Sequence, residues 1–235
     1  MIALVALDIA GTTIDEGGAV YRVLAEVVAE HGTPAPDAEV RRWMGADKRA
    51  ALAALTGDPD AVEQLHDRFV TRLSEAYADI PPKPFPGVPE TLAALRESGV
   101  RVALTTGFDR RITNTILSEV DWEVGEQLDA VVCASEVRAG RPAPDMIHRA
   151  MELTGITDPA RVLTAGDTVL DVQAGHAAGA GHVIGVLTGG QTRAELEQHT
   201  PTPAPVAMAR PRAERDARSG TRGAGSAGLT RLGVG

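Results

Sequence analysis

This chain has few aromatic side chains, one thiol and no excess of positive charge. Phe, Trp and Tyr make up 3% of its 235 residues, while 43% are hydrophobic. Its core is therefore predicted to be aliphatic and alanine-rich. A single cysteine, Cys133, excludes an internal disulfide and suits a reducing, cytoplasmic setting. The net charge of −9 argues against a nucleic-acid partner, which needs a basic face. No apolar run reaches the length of a membrane span, and the apolar start at residues 1–7 has no basic stretch before it. Neither a membrane partner nor a signal peptide is expected. One further absence is local. Two residues after Asp8 stands Ala10, so no second acid flanks the first.

The residues that are present alternate in kind. Residues 2–7, 100–105, 130–133, 162–165 and 182–186 read as buried strands. Residues 89–97, 110–120, 145–153 and 171–178 carry apolar side chains at helical spacing. Such alternation predicts an α/β fold, a parallel sheet covered by helices on both faces, with functional groups at the carboxyl ends of the strands. Residues 17–80 break the pattern. They show only helical periodicity, over 20–30, 38–44, 48–55 and 61–77, and the proline-rich stretch 81–86 follows. This reads as a helical cap inserted after the first strand, with the prolines as its return hinge. The core then comprises residues 1–16 and 81–200. Residues 201–235 hold six arginines against two acids and few large apolar groups. They are expected to form a disordered basic tail, with 204–209 the one stretch suited to an edge strand.

Four short signals fall at strand ends. Asp8 ends the first strand. Thr106 and Gly107 end the second, Arg141 follows the third, and Asp167 and Asp171 follow the fourth. Each has a plain structural reading: an aspartate as helix cap, a threonine as turn residue, an Arg-Pro pair as surface. In this order on a parallel sheet they point to phosphoryl transfer. Clustered carboxylates favour a hard divalent cation, most naturally Mg²⁺. Asp8 and Asp167 are the first-choice ligands, with the Ala10 carbonyl beside them and Asp171 as a ligand or as support for one. Arg141 and the metal can neutralise phosphoryl oxygens, Thr106 and nearby backbone N–H groups can donate to them, and Asp8 can attack phosphorus.

At these residues the chain resembles the haloacid dehalogenase (HAD) superfamily, whose Rossmann-like core carries such a cap. Most phosphatases of that superfamily have an aspartate where this chain has Ala10, and lysine where it has Arg141. The combination Asp8-Ile9-Ala10-Gly11-Thr12 with Gly140-Arg141-Pro142 is similar to the phosphonatases and their phosphonatase-like relatives. The resemblance implies a cap lysine that forms a Schiff base, within a Met-Gly-x-x-Lys pattern. Met44-Gly45-Ala46-Asp47-Lys48 supplies it, so Asp8 and Lys48 become the catalytic pair. An imine serves as an electron sink for C–P cleavage, which makes the missing acid at Ala10 intelligible. Some Lys48 must then be neutral, which calls for burial or nearby positive charge, whereas Asp47 could hold the amine protonated. The sequence departs from the phosphonatase pattern at Ala51, Phe108 and Gly18, where that family has histidine, tyrosine and cysteine.

The implied activity is Mg²⁺-dependent hydrolysis of the C–P bond of phosphonoacetaldehyde or a related 2-oxoalkylphosphonate. The alternatives are a phosphomonoesterase acting on a small metabolite such as phosphoglycolate, and a non-catalytic phosphometabolite-binding protein. The resemblance also implies dimerisation through the cap. Trp43 and Met44 read as cap packing, with Met44 also a substrate contact. The six histidines are scattered and read as structural or exposed, Cys133 as inert core, and the glycines of 175–190 as helix–sheet packing.

Overall fold

The apolar run near the amino terminus becomes β1 (Leu4–Asp8), a central strand with a parallel neighbour on each side. The computed structural model describes residues 1–32, 34–198 and 206–209. A tight loop follows β1, and then β2 (Ile14–Asp15) leads into four consecutive helices. These are α1 (Ala19–His31), α2 (Asp37–Arg42), α3 (Lys48–Thr56) and α4 (Val62–Asp79). The chain returns through β3 (Lys83–Pro84), which pairs antiparallel with β2. The two crossings between sheet and inserted helices are thus tied together as a short ribbon. The proline-rich hinge includes a strand pair too short to show any alternation in the sequence.

The remaining chain alternates as its periodicity predicts: α5 (Val88–Glu97), β4 (Arg101–Thr106), α6 (Arg110–Glu119), β5 (Ala130–Cys133), α7 (Asp145–Thr154), β6 (Val162–Gly166), α8 (Val169–Ala177), β7 (His182–Val186) and α9 (Arg193–Gln198). The edge strand expected at 204–209 forms as β8 (Val206–Ala209), parallel to β7. It therefore joins the core sheet, and for these four residues the disordered-tail expectation does not hold. The rest of the tail lies outside the described residues, as does His199. The sheet order is β5-β4-β1-β6-β7-β8, all parallel.

Strand periodicity divides the core. Val102 and Leu104 of β4 join a large cluster with Ile112 and Ile116 of α6, whereas Ala103 between them packs on the other face with Met146 and Ala150 of α7. The first cluster runs on without a break into the inserted helices, through Ile9 and Phe108 to Val20, Leu24, Leu52 and Phe69. The cap is therefore packed on the sheet through shared apolar contacts as well as joined to it by the ribbon. Close helix–sheet approach, expected from the small side chains of 171–178, occurs at Gly175, where a Cβ would collide with Thr164 Oγ1. Among the described residues no helix is long and apolar enough to cross a membrane.

Candidate active site at the strand ends

The sequence signals converge because the strands that carry them are neighbours. β5, β4, β1 and β6 lie side by side, and parallel strands bring all their carboxyl ends to one edge. Asp8 and Thr106 are the last residues of β1 and β4, while Arg141 and Asp167 lie in the loops after β5 and β6.

Arg141 is the centre of this edge. Its Nη1 donates to Asp8 Oδ1 at 2.7 Å and lies 2.9 Å from Asp171 Oδ1. Its Nη2 donates to both the carbonyl and the hydroxyl of Thr105, at 2.9 Å each. The guanidinium is buried, and burial alone would weaken its charge. Asp171 and Asp8 outweigh that cost and hold it protonated, above the ordinary arginine value. The planar fork reaches these four acceptors together, which the three N–H groups of a single lysine ammonium could not do. Asp171 is committed on both sides. Its other oxygen accepts from the Thr168 backbone N–H at 3.1 Å and the Thr168 hydroxyl at 2.5 Å, in the capping box that starts α8. Expected as a metal ligand or as support for one, it has its oxygens taken up in this structure by Arg141 and Thr168.

Asp167 is only 1% exposed. It accepts from the Thr12 hydroxyl at 3.1 Å and, at 3.4 Å, from the Gly190 N–H, and it has no Lys or Arg ion pair among the described residues. Burial, then the charges of Asp8 and Asp171, push it well above the carboxylate range. Burial likewise raises Asp8 to about 7, against the pull of Arg141. Backbone crowds around Asp167 because glycine allows it. At Gly11, with φ +86°, a Cβ would lie 2.7 Å from Asp167 Oδ2, and a Cβ on Gly189 would run into the same oxygen. Gly189 thus makes room for a site carboxylate, a role beyond the packing expected of the glycines in this stretch.

No three His, Cys, Asp or Glu side chains among the described residues are grouped to hold an ion by themselves. With Asp171 engaged, the oxygen donors at hand are Asp8, Asp167 and the Ala10 carbonyl. One or two carboxylates completed by carbonyl and water is the donor set Mg²⁺ takes, and a buried Asp167 lacking a cation partner fits a hard divalent ion.

The loop between α2 and α3 closes over this edge. A Cβ on Gly107 would collide with the carbonyls of Ala46 and Gly45, so Gly107 is the floor on which the cap loop rests. Arg141 Nη1 reaches the Gly45 carbonyl at 3.5 Å. Met44 is buried over Gly190, its sulfur 3.1 Å from where a Cβ would stand. Thr106 is buried, and its hydroxyl oxygen accepts from the Phe108 N–H at 3.2 Å, leaving the hydroxyl hydrogen free to donate.

Lys48 begins α3 and is 3% exposed. Its Nζ donates to the Ala46 carbonyl at 2.9 Å and lies 5.4 Å from the centroid of the Phe108 ring. Asp47, its neighbour, is occupied as the cap of α3, accepting from the Ala50 N–H at 2.9 Å. Burial lowers Lys48 to about 8. Asp47 and Asp8 oppose that shift, and Arg141 adds to it. The amine therefore senses the charges of the sheet edge.

Some contacts of the site have no sequence signal. Arg41 bonds Glu195 at 2.8 Å and the Gly190 carbonyl at 2.9 Å, while Arg49 and the buried His66 approach Asp109 at 3.7 and 3.4 Å. These pairs join cap to core across long stretches of chain. Thr12 was within reach of the sequence, since it sits inside the first motif.

Comparison with known proteins gives the family. The chain matches the haloacid dehalogenase-like hydrolase family over residues 2–179. It is 33% identical over 217 residues to the phosphonoacetaldehyde hydrolase of Bacillus cereus, covering 83% of this chain and 81% of that protein. It is 30% identical over 215 residues to that of Bacteroides fragilis, covering 85% and 81%. The crystal structure of a phosphonoacetaldehyde hydrolase-like protein from Oleispira antarctica superposes with a TM-score of 0.71 at 22% identity, over 95% of this chain and 86% of that one, a likeness of fold. With a buried carboxylate at the end of β1, four helices inserted after that strand and a family match over most of its length, the chain belongs to the haloacid dehalogenase-like hydrolases.

Proposed function

We propose that this hydrolase cleaves the C–P bond of phosphonoacetaldehyde or a related 2-oxoalkylphosphonate, giving inorganic phosphate and an aldehyde or ketone. The observation that carries this reading is Lys48: a buried cap amine with a lowered pKa and no carboxylate pair among the described residues, within the electrostatic reach of Asp8, which lacks the usual second acid. Neutral Lys48 adds to the substrate carbonyl carbon, and loss of water with uptake of one proton from solvent leaves a protonated imine. An Asp8 oxygen then attacks phosphorus in line. The C–P bond breaks, and its electron pair flows into the iminium to give an enamine. No carbanion is released, so no acid at position 10 is needed. Protonation at carbon and hydrolysis free the carbonyl product from Lys48, and water releases phosphate from Asp8.

Arg141 keeps one phosphonyl charge neutralised and orients Asp8, while Thr106 donates to a second oxygen. Mg²⁺ held by Asp8, Asp167 and the Ala10 carbonyl would supply the remaining charge neutralisation. The test is reductive trapping. Protein, Mg²⁺ and phosphonoacetaldehyde are mixed, borohydride is added, and the adduct is mapped by mass spectrometry. An ethyl-type adduct on Lys48 together with phosphate release is the expected result. Absence of the adduct, with phosphate freed from phosphoglycolate, would establish a phosphomonoesterase instead. Failure to turn over either compound would leave a phosphometabolite-binding protein.

A further inference from the structure

Tyr21 belongs to none of the roles assigned so far. It is the third residue of α1, just beyond the ribbon that ties cap to core. Its Cε2 lies 3.9 Å from where a side chain on Gly190 would begin, next to the Met44 thioether. Gly190 is the residue whose N–H reaches Asp167. The ring therefore stands on the Asp167 side of the site. The Tyr21 hydroxyl makes no hydrogen bond among the described residues. Burial, then the charges of Asp167, Asp8, Asp171 and Glu16, keep it protonated, well above the ordinary phenol value. A phenol held in its donor form, within the field of three carboxylates and hydrogen-bonded to none of them, has its hydrogen available for another oxygen anion.

Lys48 cannot serve that anion, because the proposed chemistry commits its nitrogen to the carbonyl carbon. The sheet contributes Arg141 and Thr106 to the phosphorus end, and the cap needs a group of its own there. We infer that the Tyr21 hydroxyl donates a hydrogen bond to a phosphonyl oxygen of the substrate, and to the product phosphate, when the cap is closed. The inference rests on the reading of this edge as a phosphoryl-transfer site. It gives cap closure a dependence on the phosphorus group as well as on the carbonyl, so a simple aldehyde reaches Lys48 without the full closing force.

The test uses the whole chain with Mg²⁺ and inorganic phosphate as the probe. Tyr21→Phe keeps the ring packed on Gly190 and Met44 and removes only the hydroxyl. Calorimetric phosphate affinity is expected to fall about 10-fold, as for loss of one hydrogen bond to a charged group. The kcat/KM for phosphonoacetaldehyde should fall by a similar factor, and the melting temperature and the borohydride-trapped Lys48 adduct should be unchanged. Phosphate binding equal to wild type in Tyr21→Phe would overturn the inference while leaving the site reading intact. Loss of the Lys48 adduct in the variant would also overturn it, by showing that Tyr21 props the lysine and does not contact phosphorus. Wild-type protein that neither binds nor releases phosphate would sink the site reading itself, and this inference with it.

Discussion

The two rims of the site handle positive charge in opposite ways. On the sheet rim, Arg141 is bonded to two carboxylates, a carbonyl and a hydroxyl, and its charge is permanent. On the cap rim, Lys48 has one carbonyl and an aromatic face, and burial brings it to about 8. The first arrangement suits a fixed electrostatic partner that needs no rearrangement as charge moves during reaction. The second suits a nitrogen that must lose a proton, form a bond and regain one. The same fold thus holds one cation rigidly and leaves another under-compensated, and on the proposed mechanism both are needed.

The largest effect that can test this contrast lies on the sheet rim. Asp8→Asn keeps the shape of the side chain and removes the nucleophilic carboxylate. Phosphate release should fall by about 10⁴-fold or more, the scale seen when a nucleophile is lost. The borohydride-trapped Lys48 adduct should persist, because imine formation belongs to the other rim. If phosphate release survives near the wild-type rate, Asp8 is not the phosphoryl acceptor and the division of labour collapses.

The next test lies on the cap rim, where stability and activity should move in opposite directions. The Lys48 pKa falls from the ordinary lysine value of 10.5 to about 8 in the folded protein. Between those two values the unfolded chain binds more protons than the folded one, so stability rises with pH across that window. Below about pH 8 the full cost of burying the cation is present. At about 1.4 kcal/mol per pH unit it amounts to about 3 kcal/mol. Lys48→Met keeps the aliphatic length and removes the charge. It should abolish the adduct and C–P cleavage, yet stabilise the protein at pH 7 by up to about 3 kcal/mol, with the gain shrinking as pH rises from 8 to 10.5. Urea unfolding at several pH values measures this. A variant less stable than wild type at pH 7 would mean that Ala46 and Phe108 fully satisfy a structural ammonium.

The sheet rim was legible in the sequence for a topological reason. Asp8, Thr106, Arg141 and Asp167 each follow a strand with strong apolar patterning, and a parallel sheet brings such positions together whatever their separation in the chain. Lys48 was reached by resemblance to a known pattern, since nothing in its periodicity separates it from an exposed cap lysine. The rest depended on contacts with no local signature. Asp171 opens the stretch read as a helix, and only the fold shows that the same aspartate, in a capping box with Thr168, grips Arg141. The β2–β3 ribbon pairs two residues with two, one of them a proline, which is below any detectable alternation. Tyr21 sits in an apolar helical stripe and looks like packing until Gly190 and Asp167 are placed beside it.

The smallest effect expected is at the seam between the rims. Arg41 Nη2 lies 2.8 Å from each Glu195 oxygen and also bonds the Gly190 carbonyl at 2.9 Å. The backbone N–H and hydroxyl of Thr192, with Arg41, hold Glu195 down to about 2. Both partners are 36% exposed, so the pair stabilises the fold by only about 0.5 kcal/mol. Its position gives it more leverage on function than on folding. Arg41 precedes the Met44–Gly45 turn that rests on the sheet, and Gly190 adjoins Asp167, so the pair clamps cap to core beside Asp167. Glu195→Gln should leave the melting temperature and the Lys48 adduct nearly unchanged and raise KM about 2- to 5-fold with little change in kcat, since half a kcal/mol or so of closing energy is lost before chemistry begins. The pair is screened by salt, so wild-type KM should drift toward that of the variant as ionic strength rises, while the variant responds less. A kcat effect, or a difference that persists in full at high salt, would move this contact from the clamp into the catalytic rim.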